Sequence, residues 1–155
     1  MIKMTRFSYG GTAGIVTSLA LIIGLDAATA TEATIVSGLL IVAIADNLTD
    51  ALSIHVYQES ERLEDREAFK STLTNVGTRM LVSLTFVLLV VALPIASAVV
   101  VSVIWGFSLL IALTYILARE RRGNVAFEIA KHVSVALVVI LVSKAIGMWI
   151  SAYLH

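Results

Sequence analysis

The chain of 155 residues contains no cysteine, one proline and few charged side chains, which make up 14% of the sequence. Without cysteine it has neither a disulfide framework nor a thiolate metal site, and its redox compartment cannot be inferred. The formal net charge is zero, so no basic field points to nucleic acid as a partner. A soluble domain normally carries about 25% charged residues. This deficit excludes an ordinary soluble domain.

Apolar residues take the place of the missing charges: 59% of the chain is hydrophobic and the mean hydropathy is +0.96. Five apolar runs approach the length of about 20 residues that a transmembrane helix needs, at roughly 8–29, 33–58, 77–97, 99–118 and 131–154. They predict an all-α integral membrane protein of five transmembrane helices in a single membrane domain, residues 1–155, with a charged cytoplasmic connector at 59–76. In span one, the spacing of Gly10, Gly14 and Ser18 lets another helix approach closely.

Lysine and arginine cluster on one side of the predicted bundle. They precede span one, or lie between or at the edges of spans two and three and spans four and five: Lys3, Arg6, Arg62, Arg66, Lys70, Arg79, Arg119, Arg121, Arg122 and Lys131. The opposite loops contain Asp26 and Glu32 but no basic residue. By the positive-inside rule, the N-terminus is cytoplasmic and the C-terminus is outside. The alternative for span one is a cleaved signal peptide, since its apolar run ends in Ala-Thr-Ala.

Two aspartates interrupt the apolar run of span two, in the segment AIADNLTDALSIH (43–55). Asp46 and Asp50 lie one helical turn apart. At about 100° per residue, Thr49 and Ser53 fall within about 60° of Asp46 and share its face. A polar stripe on an otherwise apolar helix is expected to face protein or water rather than lipid.

The residue types on this stripe indicate a cation or proton site. Carboxylate, amide and hydroxyl oxygens are hard ligands that suit Mn²⁺, Mg²⁺, Ca²⁺ or Fe²⁺. Asn47 flanks the stripe as a third ligand, with Thr49 and Ser53 as auxiliary ligands, whereas His55 falls on the opposite face and is excluded. Without a cation, two close carboxylates tend to hold a proton between them, because both do not easily ionise in a low dielectric.

Lys144 lies outside the basic flanks, near the middle of predicted span five. A charge there costs about 2.5–3.5 kcal/mol on insertion scales, so a partner is expected. At the α-helical rise, Asp46 and Lys144 lie about 18 Å and about 20 Å from the inner ends of their spans. Lys144 is therefore predicted to be the counter-ion or proton-coupling partner of Asp46 or Asp50. The alternative is a purely structural Asp46–Lys144 pair.

The connector after span two interleaves acids with bases: Glu59, Glu61, Glu64, Asp65 and Glu67 with Arg62, Arg66 and Lys70. Opposite charges three residues apart favour a solvated helix that continues span two. The alternative is that Glu59, Glu61 and Glu64 collect cations at a cytoplasmic entry.

Two segments of the chain resemble the vacuolar iron transporter (VIT) family. Gly-Gly-Thr-Ala-Gly-Ile-Val-Thr-Ser, which opens span one, is similar to that family's N-D-G-[IL]-V-[ST]-[ST] opening. ADNLTDALSIHVYQESE (45–61) aligns without gaps with the family's A-D-G-L-S-M-G-L-G-E-Y-L-S-x-x-S-E stretch. Five spans, the topology and ALP near the end of span three also agree. The resemblance implies a homodimer that exchanges Fe²⁺ or Mn²⁺ for protons along a path between subunits, lined by spans one and two.

Carried over residue by residue, this resemblance matches one acidic family position directly, at Asp46. Ala13 replaces the family's span-one aspartate, while Asp50 and Ile54 fall where the family has methionine and glutamate. Most of the family's acidic metal-gathering helices are missing. Lys144 falls where an uncharged residue is expected, and an added positive charge disfavours a bound dication.

The leading prediction is a VIT-like divalent cation/proton transporter that is integral to the lipid bilayer, in the cytoplasmic membrane if the source is prokaryotic, and that carries no resident cofactor. The alternative is a non-transporting membrane scaffold or regulator that keeps the fold with a structural Asp46–Lys144 pair. An enzyme is least expected, because the chain has no HExxH motif, no nucleophile–base motif and no Gly-rich phosphate loop between a strand and a helix.

Overall fold

The computed structural model describes the backbone of residues 5–61 and 65–154, and the side chains of residues 10–53 and 72–154. Over these ranges the chain forms helices joined by short connections, without strands. The five helices are α1 (Thr5–Ala27), α2 (Glu32–Glu61), α3 (Asp65–Ala92), α4 (Ile95–Glu120) and α5 (Val125–Tyr153). The all-α prediction with five long helices is confirmed for this part of the chain.

Each helix contains a stretch that is long and apolar enough to cross a membrane: Gly10–Ala27, Glu32–Ser53, Thr72–Ala92, Ile95–Glu120 and Val125–Tyr153. Large apolar side chains are exposed on the outside of the bundle, among them Ile41, Leu48, Leu81, Leu88 and Leu141. A continuous apolar exterior of this kind is rare on soluble monomers. The helices are consistent with a multi-pass integral membrane protein in contact with the lipid bilayer.

The break between α3 and α4 lies a few residues before the predicted one. α3 ends at Ala92, and the carbonyl oxygen of Pro94 accepts hydrogen bonds from the backbone N–H groups of Ser97 and Ala98 at 2.9 Å. Proline has no backbone N–H and fits the start of a helix rather than its interior. The predicted third span, which ran through Pro94 to residue 97, therefore ends too late.

The third helix also begins earlier than its predicted span. α3 starts at Asp65 rather than at residue 77. Arg79 consequently lies about four helical turns from the start of the helix. Its side chain is buried in the bundle instead of flanking it.

Short turns make successive helices antiparallel. Residues 28–31 join α1 to α2, residues 93–94 join α3 to α4, and residues 121–124 join α4 to α5. Asn124 caps α5, which begins earlier than the predicted residue 131, by accepting a hydrogen bond from the backbone N–H of Phe127 at 3.2 Å.

The two ends of the bundle differ in charge. We call the basic end the one that carries Arg119, Arg121, Arg122 and Lys131. Because the helices alternate in direction, this end also holds the start of α1, the end of α2 and the start of α3. The opposite end carries Asp26 and Glu32.

α1 lies at the centre of the bundle and packs against all four other helices. α2 packs on α1 and α3, whereas α5 packs on α1 and α4. Glycines allow these close approaches. A Cβ at Gly10 would overlap Asn75 of α3, and a Cβ at Gly147 would overlap the carbonyl oxygen of Gly24. The predicted close approach of a helix at Gly10 and Gly14 is confirmed, and that helix is α3.

The interface between α1, α2 and α3 changes character along its length. Toward the opposite end it is apolar, and its side chains are at most 2% exposed: Ile22, Ile35, Leu39, Phe86 and Val90. Toward the basic end the same three helices bury polar residues: Ser18, Asn47, Asn75, Arg79 and Ser83. The candidate site lies in this polar half.

Candidate ion site

Arg79 of α3 is hydrogen-bonded to both aspartates of α2. Its Nη2 donates to Asp46 Oδ2 at 2.6 Å, and its Nη1 donates to Asp50 Oδ2 at 2.5 Å. The side chain of Arg79 is 9% exposed, and those of Asp46 and Asp50 are 35% and 25% exposed. The two carboxylates are one helical turn apart, so a single planar guanidinium reaches both. With all three groups ionised, the cluster carries one net negative charge.

The place of Arg79 follows from the face of α3 that packs on α1 and α2. Asn75, Arg79 and Ser83 are all buried, and residues spaced by four share a helix face. Gly14 of α1 makes room for the arginine stem, since a Cβ there would lie 3.3 Å from Arg79 Cγ. The stem is thus packed against α1 while the guanidinium reaches α2.

A small polar cavity adjoins Asp46 and Arg79. Its empty volume is about 210 Å³, and its lining combines polar and apolar residues: Gly14, Thr17, Ser18, Leu21, Leu39, Val42, Ala43, Asp46, Arg79 and Ser83. The space open to the centre of a water molecule is about 10 Å³, which is about the room that one water needs. Thr17, Ser18 and Ser83 supply hydroxyl groups around it. The cavity has room for a water molecule or a small ion beside Asp46.

Neither of the two auxiliary ligands predicted on α2 lies at this site. Thr49 and Ser53 are exposed on the outer surface of the helix, and Thr49 Oγ1 donates to the carbonyl oxygen of Ala45 at 2.8 Å. The buried face of α2 runs through Ala43 and Asn47, so Thr49, on the other side of the aspartates, faces outward. Thr49 and Ser53 are therefore removed from the predicted ligand set.

Asn47 does belong to the buried face of α2. It is 6% exposed, and its Nδ2 has no hydrogen-bond partner among the described residues. Asn75 of α3 is also 6% exposed, and its Oδ1 likewise lacks a partner in the described part of the chain. A buried amide donor and a buried amide acceptor thus flank the ionic cluster, and unsatisfied groups of this kind are uncommon in folded proteins.

Lys144 lies apart from the aspartates within one chain. α5 packs on α1 and α4, the Lys144 side chain is exposed, and no ion pair joins it to another described residue. Its neighbour Ser143 lies against Gly24 of α1, whereas Arg79 lies against Gly14. At the helical rise these glycines are about 15 Å apart, so Lys144 is nearer to the opposite end. The predicted Asp46–Lys144 pair is replaced by Asp46–Arg79.

The predicted cytoplasmic entry at Glu59, Glu61 and Glu64 lies outside the residues whose side chains the structure describes, as do Ile54 and His55. The backbone of α2 does continue to Glu61. A helical continuation of span two is therefore confirmed to that residue, and the entry role stays a prediction.

Sequence reasoning missed Arg79 because it counted this residue among the basic residues at the edges of the spans. The predicted span 77–97 contains a single charged residue, Arg79. The spacing of Asn75, Arg79 and Ser83 by four residues also predicts a polar helix face. These two signals together identify the position.

The site offers few ligands for a divalent metal ion. Among the described side chains, no group of three or more His, Cys, Asp or Glu residues is placed to hold one. Asp46 and Asp50 provide two carboxylates, and one oxygen of each is already bonded to Arg79. Divalent Ca²⁺ takes 6–8 oxygen ligands, and Mg²⁺ requires near-octahedral geometry. The arrangement is better suited to a proton or to an ion that needs few protein ligands.

Comparison with protein-family models, curated proteins and solved structures finds no match for this chain. The resemblance to the VIT family rests on residues 10–18 and 45–61 as they stand in the sequence. The geometry of the chain's own residues is therefore the basis for proposing a function.

Replacing Lys144 with leucine is expected to leave the melting temperature of the purified protein unchanged or to raise it. The side chain is exposed on an apolar helix without an ion-pair partner among the described residues, and a lysine at mid-membrane costs about 2.5–3.5 kcal/mol on insertion scales. The measurement is thermal unfolding in detergent followed by circular dichroism. A clear drop in melting temperature would mean that Lys144 has a stabilising partner after all.

Proposed function

We propose that the protein is a multi-pass membrane transporter that moves a cation in exchange for protons, with Asp46 and Asp50 as the ion-binding groups. The observation that carries the proposal is the cluster of two carboxylates and one guanidinium beside a polar cavity, between helices that are otherwise apolar. Ionisable residues within membrane spans are expensive and mark ion or proton pathways by default. No comparable cluster occurs elsewhere among the described spans.

The cavity beside the cluster extends toward the opposite end. Its lining runs from Gly14 to Leu21 on α1, from Asp46 back to Leu39 on α2 and from Arg79 to Ser83 on α3. Beyond it, the apolar residues Ile22, Ile35, Phe86 and Val90 close the interface. Transport through such a site requires helices to move around a fixed binding position, so that the cluster reaches each side of the membrane in turn.

In this proposal the positive-inside rule places the basic end in the cytoplasm, so the N-terminus is cytoplasmic and the C-terminus is outside. The resemblance to the VIT family supplies the remaining elements of the proposal. They are Fe²⁺ and Mn²⁺ as the first cargoes to test, a homodimer as the assembly, and the cytoplasmic membrane as the location if the source is prokaryotic.

Asp46→Asn is expected to abolish cation-dependent proton flux while the protein stays folded. Asparagine preserves the shape of the side chain but removes the charge that binds the ion and the proton. The measurement uses proteoliposomes that contain a pH-sensitive dye, with inward gradients of Mn²⁺, Fe²⁺, Na⁺ or K⁺ imposed in turn. Lys144→Gln serves as the matched control, since it also removes an embedded charge but lies about 15 Å from the site along α1.

Two results would count against transport. Wild-type vesicles that show no flux with any of the four cations would reject it outright. Flux through Asp46→Asn at the wild-type rate would remove Asp46 from the ion path and leave the proposed site without its central residue.

A second candidate function is a non-transporting membrane scaffold or regulator. The observation that favours it is that Arg79 bonds to both aspartates at 2.5–2.6 Å, which is the geometry of a lock between α2 and α3. Under this hypothesis, no added cation shifts the melting temperature through Asp46 or Asp50. Transport predicts the reverse, because a ligand that binds only the folded state stabilises it.

A further inference from the structure

We infer that Arg79 stands in the place of a bound cation, so that the site takes one monovalent metal ion at a time rather than a divalent metal ion. This inference rests on the proposed function and narrows it to a substrate class. It departs from the divalent cargo that the resemblance implies, and it follows from the charge of the site.

The charge of the cluster sets the charge of its ligand. Asp46 and Asp50 supply two negative charges and Arg79 supplies one positive charge, within hydrogen-bond distance of both. One added positive charge makes the cluster neutral. A dication beside the resident guanidinium would leave one uncompensated positive charge, and charge imbalance is far more costly between membrane helices than in water.

No other charged group with a described side chain alters this count. The cavity is lined by α1, α2 and α3. Within the described side chains of these helices, the charged residues besides the cluster are Asp26 and Glu32, and both lie at the opposite end. Arg79 is thus the one cationic group that faces the two aspartates from the described parts of α1 and α3.

The geometry agrees with a small singly charged ligand. Arg79 occupies Oδ2 of each aspartate and leaves the Oδ1 atoms outside these two hydrogen bonds. The cavity beside Asp46 has room for about one water-sized particle, with the hydroxyl groups of Thr17, Ser18 and Ser83 in its lining. Carboxylate and hydroxyl oxygens of this kind are ligands that a small metal ion takes.

A series of charge variants tests this directly by calorimetric titration of the purified protein with MnCl₂. Wild-type protein, with a cluster charge of minus one, is expected to show no saturable Mn²⁺ binding. Arg79→Gln, with a charge of minus two, is expected to gain saturable Mn²⁺ binding that is at least about tenfold tighter than any residual binding by the wild type. Adding Asp50→Asn to Arg79→Gln returns the charge to minus one and is expected to remove the Mn²⁺ binding again.

Lys144→Gln is the matched control, because it removes an embedded positive charge outside the site and is expected to behave like the wild type. A second measurement covers the case in which Arg79→Gln does not fold. The wild-type melting temperature is expected to rise with added NaCl at constant ionic strength, and Asp50→Asn, whose cluster is neutral, is expected to lose that response.

Several outcomes would overturn the inference. They are saturable Mn²⁺ binding by the wild type that Asp46→Asn removes, folded Arg79→Gln that gains no Mn²⁺ affinity, and a wild-type melting temperature that does not change with NaCl. Binding and transport are measured separately. Wild-type protein whose melting temperature rises with NaCl but that carries no flux would reject the proposed function and leave the inference standing. Coupled Mn²⁺ flux with Mn²⁺ bound at Asp46 would support the proposed function and reject the inference.

Discussion

Arg79→Ala is expected to lower the free energy of unfolding by about 1–3 kcal/mol, the typical cost of leaving polar partners unsatisfied. The cost of about 3–5 kcal/mol for a fully buried ion pair is reduced because Asp46 and Asp50 are 35% and 25% exposed. The Arg79 side chain is 9% exposed and donates to both aspartates, so its removal leaves two close carboxyl groups without their common hydrogen-bond donor. The measurement is thermal or denaturant unfolding in detergent micelles at constant pH.

The control for this prediction removes the whole cluster. A variant that combines Asp46→Asn, Asp50→Asn and Arg79→Gln keeps the side-chain shapes and eliminates all three charges, so it is expected to recover most of the lost stability. Recovery would assign the loss to stranded charge rather than to lost packing of the arginine stem. An Arg79→Ala variant as stable as the wild type would contradict the bonded cluster itself.

Gly147→Ala is expected to destabilise the fold by about 1–3 kcal/mol through overpacking. A Cβ at Gly147 would overlap the carbonyl oxygen of Gly24 and lie 2.9 Å from the Cβ of Ala27. Both contacts are on α1, at the centre of the bundle, so the helices α1 and α5 would have to separate. Unfolding of the purified variant, followed by circular dichroism, measures the effect.

Gly77→Ala is the matched control, because it is the same substitution inside another helix. No atom lies within 4 Å of a Cβ at Gly77, and alanine is favoured over glycine in a helix interior by about 1 kcal/mol. Gly77→Ala should therefore leave stability unchanged or raise it. Equal destabilisation by both substitutions would show that the α1–α5 contact is not as close as described.

The sequence alone predicts the helices well because the amino-acid composition of each segment is enough to identify a membrane span. Apolar runs of about 20 residues and the basic clusters between them define five helices without any knowledge of packing. Their ends are predicted less well. Pro94 marks the start of α4, but the apolar run continues through it on both sides, so hydropathy by itself extends span three past its true end at Ala92.

The candidate site is predicted in part. Asp46 and Asp50 stand out because carboxylates are rare in apolar runs, and their spacing places them on one face. Their partner depends on which helices are neighbours and on how each is rotated, which hydropathy does not encode. Depth along the span suggested Lys144. The packing of α2 on α3 rather than α5 selects Arg79 instead.

The most direct test of the central claim, that Asp46 and Asp50 form a site that binds a cation, is infrared difference spectroscopy on the protein in lipid, between buffers with and without NaCl or MnCl₂ at constant pH. The claim predicts that one of the cations shifts a carboxylate stretching band in the wild type, and that this shift disappears in Asp46→Asn or Asp50→Asn and persists in Lys144→Gln. Identical difference spectra for the wild type and both aspartate variants would contradict it.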